Sequence, residues 1–296
     1  MPVPTEVAMS QQSTLIPSTA AAADRGTVTV LGATGKTGRR VADRLEVLGV
    51  QVRRASRSAE LRFDWADEST WPAVLDGATA VYVAYAPDLA IAGAPETVTR
   101  LAVAARDAGV RRLVLLSGRG EAEAQRAERM VAEVFPAPTI LRCAFFAQNF
   151  DESFLLEPLL EGGLALPVGD VTEPFVDLED VAEVAVAALT DDAHAGEVYE
   201  LTGPRSLTFA GAVAEIGAAA GRDLRFVRTT MAEFVEGLAS AGVPAEDVGL
   251  LEYLFTEVLD GRGSPVVDGV QRVLGRAPRD FAEYAVREAA DWAPRA

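Results

Sequence analysis

The stretch Val28-Thr29-Val30-Leu31-Gly32-Ala33-Thr34-Gly35-Lys36-Thr37-Gly38-Arg39-Arg40 decides the fold. A short β-branched apolar run meets three glycines spaced Gly-x-x-Gly-x-x-Gly, and an amphipathic segment follows with Val41, Leu45 and Leu48 on one face. Strand, glycine turn, helix is the order a dinucleotide site needs. Glycines let the backbone turn tightly and approach a pyrophosphate, and the helix N-terminus offers free N–H groups and the positive end of its dipole. Gly32, Thr34, Gly35, Lys36, Thr37 and Gly38 are therefore candidate cofactor-binding residues. Gly35-Lys36-Thr37 also looks like the end of a mononucleotide phosphate loop. That loop needs a glycine five residues before Gly35, where this chain has Val30. A glycine turn that holds no ligand is the other alternative at this motif.

The second strand reads Val50-Gln51-Val52-Arg53-Arg54-Ala55-Ser56-Arg57. Its end lies roughly 20 residues past the first glycine, where an NAD site places Asp or Glu on the ribose hydroxyls. Here no acid occurs before Glu60, and three arginines and Ser56 stand instead. A guanidinium fork suits a 2′-phosphate, with Ser56 as a further hydrogen-bond donor, so NADP(H) is favoured over NAD. The alternative is a solvated basic strand end.

Composition narrows the classes. The chain has 296 residues, 49% hydrophobic and 24% charged, enough for one large α/β domain or a core domain with a smaller lobe. No apolar run reaches membrane-spanning length. A single cysteine, Cys143, precludes an intrachain disulfide and fits a reducing cytoplasm. Residues 1–25, rich in Ser, Thr, Pro and Ala, lack the pattern of a signal peptide and read as a disordered tail. The net charge of −17 argues against nucleic-acid binding. Lys36 is the one lysine in the chain and sits inside the glycine motif, where its ammonium could reach a cofactor phosphate.

Strand and helix signals then alternate. Strands are expected over 61–63, 78–84, 112–117 and 139–143, with helices over 95–109 and 121–134. This is a doubly wound parallel sheet with helices on both faces, and ligands of such sheets sit beyond the carboxyl ends of the strands. Those ends add Ser56, Arg57, Asp64, Trp65 and Ala84 to the cofactor-binding candidates. After the sixth strand the pattern loosens. A helical stretch is expected from Phe145 to Glu161, a helix over 178–189, a strand over 197–201, and two or three helices in the last hundred residues. The expected division is a dinucleotide-binding core over 26–160 and a smaller mixed C-terminal substrate lobe over 161–296, partly interleaved with the core.

Several of these segments carry a resemblance. Gly32-Ala-Thr-Gly-Lys-Thr-Gly38, Leu113-Val-Leu-Leu-Ser-Gly118, Leu141-Arg-Cys-Ala-Phe-Phe-Ala-Gln-Asn-Phe150, Pro174-Phe-Val-Asp-Leu-Glu-Asp-Val181 and Tyr199-Glu-Leu-Thr-Gly203 resemble the NmrA-like branch of atypical short-chain dehydrogenases. The resemblance covers nearly everything from Gly26 to Tyr284. Phe63-Asp-Trp65 and the Lys36-Thr37 form of the loop look like the ergot-alkaloid reductase group and its bacterial relatives. The resemblance implies an α/β Rossmann core, a smaller C-terminal lobe and NADP(H) binding. It leaves the activity open among reductases of quinones, enones and iminium ions and redox-sensing regulators.

The chemistry is narrowed by a missing pair. Tyrosine-dependent short-chain dehydrogenases use Tyr-x-x-x-Lys, and this chain cannot contain it, because its one lysine is Lys36 and position 32 is Gly. Without that acid an unactivated ketone or alcohol is a poor substrate. A quinone, iminium ion or polarised enone still accepts hydride if it is oriented and shielded from water. Ser117 and Tyr85 are the catalytic candidates; their alternatives are a strand-end cap and a core aromatic. Phe145, Phe146, Gln148 and Asn149 are the substrate-binding candidates; Phe150 stands with the phenylalanines as a possible wall, and at least one of the three is expected to be core. His194 reads as a surface residue, Cys143 as inert core, and no spacing suggests a metal site. The expected function is NADPH-dependent reduction of a small, conjugated, pre-activated acceptor, in the cytoplasm, with no nucleic-acid or membrane partner and a possible homo-oligomer. The alternatives are a non-catalytic NADP(H) sensor acting through a protein partner and, third, a cofactor-binding isomerase or dehydratase.

Overall fold

The computed structural model describes residues 26–293, so the tail expected over 1–25 lies outside the described residues. Strand β1 (Thr27–Leu31) is buried along its whole length and β-branched at Thr27, Val28, Thr29 and Val30. That suits a central parallel strand covered on both faces. Helix α1 (Lys36–Val47) returns along the sheet and buries Val41, Ala42 and Leu45. The alternation continues through β2 (Gln51–Ser56), β3 (Leu61–Arg62), α2 (Trp71–Leu75), β4 (Ala80–Val83), α3 (Ala94–Asp107), β5 (Arg112–Gly118), α4 (Ala122–Val134) and β6 (Thr139–Cys143).

Beyond β6 the chain departs from its sequence pattern. The helix expected from Phe145 is a single 3₁₀ turn at Ala147–Asn149, followed by α5 (Leu156–Glu161). The reason is tertiary. Phe150 is drawn into a phenyl cluster, and the Gln148 side chain binds Asp177 and the Leu178 backbone instead of lying on a helix face. Then come β7 (Gly163–Leu166), β8 (Thr172–Glu173), α6 (Leu178–Thr190), β9 (Val198–Leu201), β10 (Leu207–Thr208), α7 (Phe209–Ala220), β11 (Arg225–Arg228), α8 (Met231–Ser240) and α9 (Ala245–Tyr253). A π-helical turn at Leu254–Val258, α10 (Gly269–Leu274) and α11 (Phe281–Arg287) complete the described chain. The C-terminal region thus holds more helices than its apolar pattern suggests. Left-handed Gly221 and Gly242, with φ of +64° and +76°, break it into shorter pieces.

The main sheet has seven strands in the order β3-β2-β1-β4-β5-β6-β9, all paired in parallel. Side chains alternate across it. Val28, Val30, Tyr82, Val114 and Leu141 face the layer of α1 and α6. Val81, Val83, Leu113, Leu115 and Ile140 face α2, α3 and α4. Strand order reverses between β1 and β4, which opens a crevice at their carboxyl ends. The smaller lobe pairs β7 with β11 and β8 with β10. Its core is a cluster of rings in which Phe175 lies 5.4 Å from Phe150, 5.2 Å from Phe209 and 5.3 Å from Phe281, mostly edge-to-face. No cut at residue 160 separates lobe from sheet: β9 supplies the seventh strand and α6 covers α1, while Phe150 belongs to the lobe core. Among the described residues no helix is long and apolar enough to cross a membrane.

Arginines lock the layers together. Arg40 on α1 reaches Glu179 on α6 at 2.8 Å and Glu152 at 2.6 Å. Asp180 on α6 is wholly buried and takes Arg276 at 2.7 Å, the Arg279 backbone N–H at 2.7 Å and the Arg279 guanidinium. Removing one partner of a buried pair leaves the other charge uncompensated. Asp180→Ala is therefore expected to destabilise the protein by about 3 kcal/mol, and Asp180→Asn by less. Urea unfolding checks this; a wild-type midpoint for Asp180→Ala would show that the two arginines do not fasten this segment.

Candidate active site

The glycine loop joins β1 to α1. Gly32 takes φ +69°, a left-handed conformation that favours glycine, and its carbonyl accepts from Gly35 N at 2.8 Å. Gly38 is the most crowded of the three: a Cβ there would run into the Gly32 carbonyl, so this glycine permits the close approach of helix to turn. Thr34 and Gly35 are exposed at the crest of the loop. Thr37 is buried beside the Tyr82 phenol, whose pKa burial pushes up. Lys36 does not extend freely over the loop. Its Nζ donates to Asn149 Oδ1 at 2.5 Å, and burial lowers its pKa against the opposing pull of Glu152 and Asp151.

At the end of β2 the three arginines part company. Arg54 is held by Glu46 at 2.8 Å and by Asp43 on α1, and Arg53 donates to the Asp76 carbonyl. Both are thereby withdrawn from the role of binding a phosphate. Arg57 is exposed at the crevice, and no described residue forms an ion pair with it. Ser56 is buried, with Oγ accepting from Ala59 N at 3.0 Å. Asp64 shapes the next turn: its carbonyl accepts from Trp71 Nε1 at 3.0 Å and its carboxylate from Ala66 N at 3.1 Å. Trp65 packs against Tyr85 with centroids 4.7 Å apart and the rings tilted by 47°, so the ends of β3 and β4 share an aromatic wall. Ala84, half-buried, precedes it.

Beyond the ends of β4, β5 and β6 lies a cavity of about 210 Å³, lined by Tyr85, Ser117, Cys143, Phe145, Phe146 and Asn149 and closed on the lobe side by Leu254, Val258 and Leu259. Phe145 also packs on Phe209 at 5.5 Å, while Phe150 is entirely core, as one of these rings was expected to be. Ser117 lines the cavity and donates to Glu128 at 2.6 Å, and Glu128 is in turn held by Arg142 at 2.5 Å. Its hydroxyl thus belongs to a buried network at the strand end. Gln148 is wholly buried outside the cavity lining and ties the Asp177 side chain and Leu178 N–H at 2.7 and 2.8 Å, which builds the loop. Cys143 is buried, which pushes its thiol pKa up and keeps it inert. His194 sits away from these strand ends in a surface turn against Tyr199, 2.9 Å from its hydroxyl.

Three acids in the cavity wall escaped the sequence reading. Glu121, at the N-cap of α4, folds back over Gly118, where a Cβ would collide with its carboxylate. Asp88, on the loop after β4, lines the cavity beside Glu121 and accepts from Ala90 N at 2.7 Å. Glu173 accepts from Phe145 N at 3.0 Å, and burial pushes its pKa up to about 7 against the pull of Arg119. A usable signal was Gly118 three residues before an acid at a helix start; the Asp88 partner had none. A separate trio, Asp151, Glu288 and Asp291, gathers within 4.8 Å at the lobe, where Asp151 accepts from Tyr284 at 2.7 Å.

No family model matches the chain. It is 33% identical over 276 residues to the uncharacterized oxidoreductase YesF of Bacillus subtilis (strain 168), covering 90% of this chain and 96% of that protein. It is 30% identical over 287 residues to the NAD(P)H azoreductase of Xenophilus azovorans (89% and 98%) and 28% identical over 276 residues to the agroclavine dehydrogenase of Claviceps fusiformis (87% and 96%). Its fold is similar to that of the Citrobacter sp. triphenylmethane reductase complexed with NADP(H), with a TM-score of 0.70 at 20% identity over 89% of this chain and 99% of that one. It is also similar to Nmra, a negative transcriptional regulator, at 0.67 and 18% over 88% and 94%. By sequence kinship along nearly its whole length and by its architecture, the chain belongs to the NmrA-like atypical short-chain dehydrogenase/reductase family.

Proposed function

We propose that the protein is an NADPH-dependent reductase of a small acceptor that is already electrophilic, of the quinone, enone or iminium type. The observation that carries this reading is the partly aromatic cavity on the same carboxyl edge of the sheet as the glycine turn. A redox sensor needs the turn; it does not need such a cavity beside it.

The residues present fit a dinucleotide phosphate. Gly32 and Gly38 give the tight turn and the close approach, and α1 presents its first-turn N–H groups and positive dipole end there. No acid stands at the end of β2 to repel a 2′-phosphate, and Arg57 is free to meet one. Ser56 and the turn at Asp64-Trp65 border the same crevice. Asn149 joins cofactor loop to cavity through Lys36. When bound, the cofactor supplies hydride to the acceptor. The chain's own part is orientation and exclusion of water: Tyr85, Phe145 and Phe146 flank the acceptor and the π-helical turn covers it. The azoreductase and clavine dehydrogenase relatives, named for small-molecule redox reactions, support the same reading.

NADPH is expected to bind at least about tenfold tighter than NADH, roughly 1.4 kcal/mol, and Arg57→Ala to erase most of the difference. Calorimetry decides; equal affinities in the wild type would refute the cofactor assignment. In turnover with a panel of quinones, enones, azo compounds and cyclic iminium ions, Ser117→Ala should change kcat little, because its proton is committed to Glu128. Trimming Tyr85 or Phe146 to Ala should lower it more, by about tenfold, through lost orientation. NADPH consumption no faster than the cofactor's own decay across the panel would overturn the reductase reading.

A further inference from the structure

The reductase reading leaves a proton unaccounted for. Reducing a quinone, azo bond or enone takes a hydride and a proton, and this chain has no Tyr-x-x-x-Lys pair to give one. We propose that Asp88 and Glu121 share one proton in the cavity wall and deliver it to a neutral acceptor as the acceptor takes up hydride. The inference rests on the reductase reading for its acceptor and on the cavity's own geometry for its acid.

The geometry is specific. Asp88 follows β4 and Glu121 follows β5, neighbouring strands of the sheet, and both line the cavity with Tyr85 and Phe145. Their carboxyl groups sit close enough in the cavity wall to act on one another. Two neighbouring buried carboxyls resist ionising together, so the pair keeps a proton on one of them. Glu121 is nine per cent exposed and has no arginine partner among the described residues. Arg119, also at the cavity, is paired with Glu200 at 2.9 Å and donates to the Gly263 carbonyl. Tyr253 on α9 feels both carboxyls, and Glu123 on α4 and Glu257 on the π-helical turn act on the same phenol; Glu173 and Tyr85 share the cavity wall with the pair. Burial and the neighbouring Asp88 push Glu121 up to about 8, and burial raises Asp88 as well. The shared proton is therefore held at neutral pH and lost as pH rises through that range.

Other donors at the cavity are weaker claimants. Ser117 is committed to Glu128, the Cys143 thiol is pushed up by burial, and Asn149 accepts from Lys36. Tyr85 and Glu173 remain as rivals to be tested. With hydride supplied by a bound NADPH to the electrophilic atom of the acceptor, the multiple bond's electron pair would move to the far heteroatom, and that atom would take the proton from the carboxyl pair. The pair is then left doubly ionised, the cofactor being oxidised by the hydride it gave up, and it recovers its proton from water. A cationic iminium acceptor is neutralised by hydride alone and draws no proton.

The contrast between acceptors is the test. With a neutral quinone or azo acceptor, wild-type kcat should fall above about pH 8, and Glu121→Gln should lower kcat at pH 7 by about 100-fold and abolish that fall. With a cyclic iminium acceptor the same variant should change kcat by less than about threefold, with no such fall. Asp88→Asn should reproduce the pattern, which covers a folding failure of the first variant. Tyr85→Phe and Glu173→Gln should leave the high-pH fall in place whatever they do to the rate. Independently of turnover, carboxyl ¹³C NMR of the protein, with the Glu121 signal assigned by its loss in Glu121→Gln, should show a proton on the pair at pH 7. Both carboxyls ionised at pH 7, equal losses with neutral and cationic acceptors, or transfer of the pH effect to Tyr85 or Glu173 would overturn the proposal while leaving the reductase reading intact. Failure to reduce any acceptor would instead overturn that reading, and the donor role with it.

Discussion

The burial of both faces of one parallel sheet governs the rest of this molecule. Val28, Val30 and Tyr82 are sealed under α1 and α6, and Val81, Val83 and Leu115 under α2, α3 and α4. Neither face can then hold a ligand, and Thr29 there donates inward to the Val74 carbonyl at 2.8 Å. The carboxyl edge is what remains. Parallel pairing brings the loops after β1, β4, β5 and β6 to that one edge, and the reversal of strand order separates the first two enough to admit a ligand. The glycine turn, the Trp65–Tyr85 wall, the acid pair and the Phe145-Phe146 wall are neighbours for that reason alone.

The charge distribution follows a second rule. The chain is acidic by 17 charges, yet its arginines are committed mainly to holding layers together. Arg40 and Arg44 join α1 to Glu179 on α6, Arg287 reaches the buried Asp177, and Arg142 holds Glu128 beneath the cavity. These contacts are bidentate or shared, which is what the planar guanidinium does well and a lysine does not. Arg57 at the crevice is an exception, and its position gives the exception a use.

What was legible in the sequence was local. The glycine spacing, the missing acid after β2 and the βα alternation each depend on residues a few places apart, so the core sheet could be read to within a residue or two. Side-chain contacts between one element and another could not. Arg54 looked like a phosphate ligand until Glu46 on the facing helix claimed it. Ser117 looked like an active-site hydroxyl until Glu128, one face of α4 away, took its proton. Asp180 and the Arg279 backbone meet across 99 residues, and nothing in either segment announces the other. Gln148 and Phe150 override the helical tendency of their segment because the buried loop and ring cluster they complete outweigh a weak local propensity.

The acid pair shows how far such long-range placement can change chemistry. In the tyrosine-dependent enzymes an ammonium beside a phenol brings its pKa down toward neutrality. Here two carboxyls, each acidic on its own, are brought up toward neutrality by being buried together. Either route yields a group that holds a proton at pH 7 and can release it, but the electrostatic consequences differ. A Tyr-Lys pair makes its pocket positive, which suits an oxyanion. A singly protonated carboxyl pair leaves its pocket negative by one charge, so it welcomes a cation or a neutral molecule and repels a carboxylate. Glu173 and Arg119 also stand in the wall, where the guanidinium draws the Glu173 carboxyl down against the rise that burial imposes. The absence of the usual lysine is therefore more than a loss of acid strength: at the acid pair itself the charge beside the acceptor is negative, where a Tyr-Lys pair makes it positive.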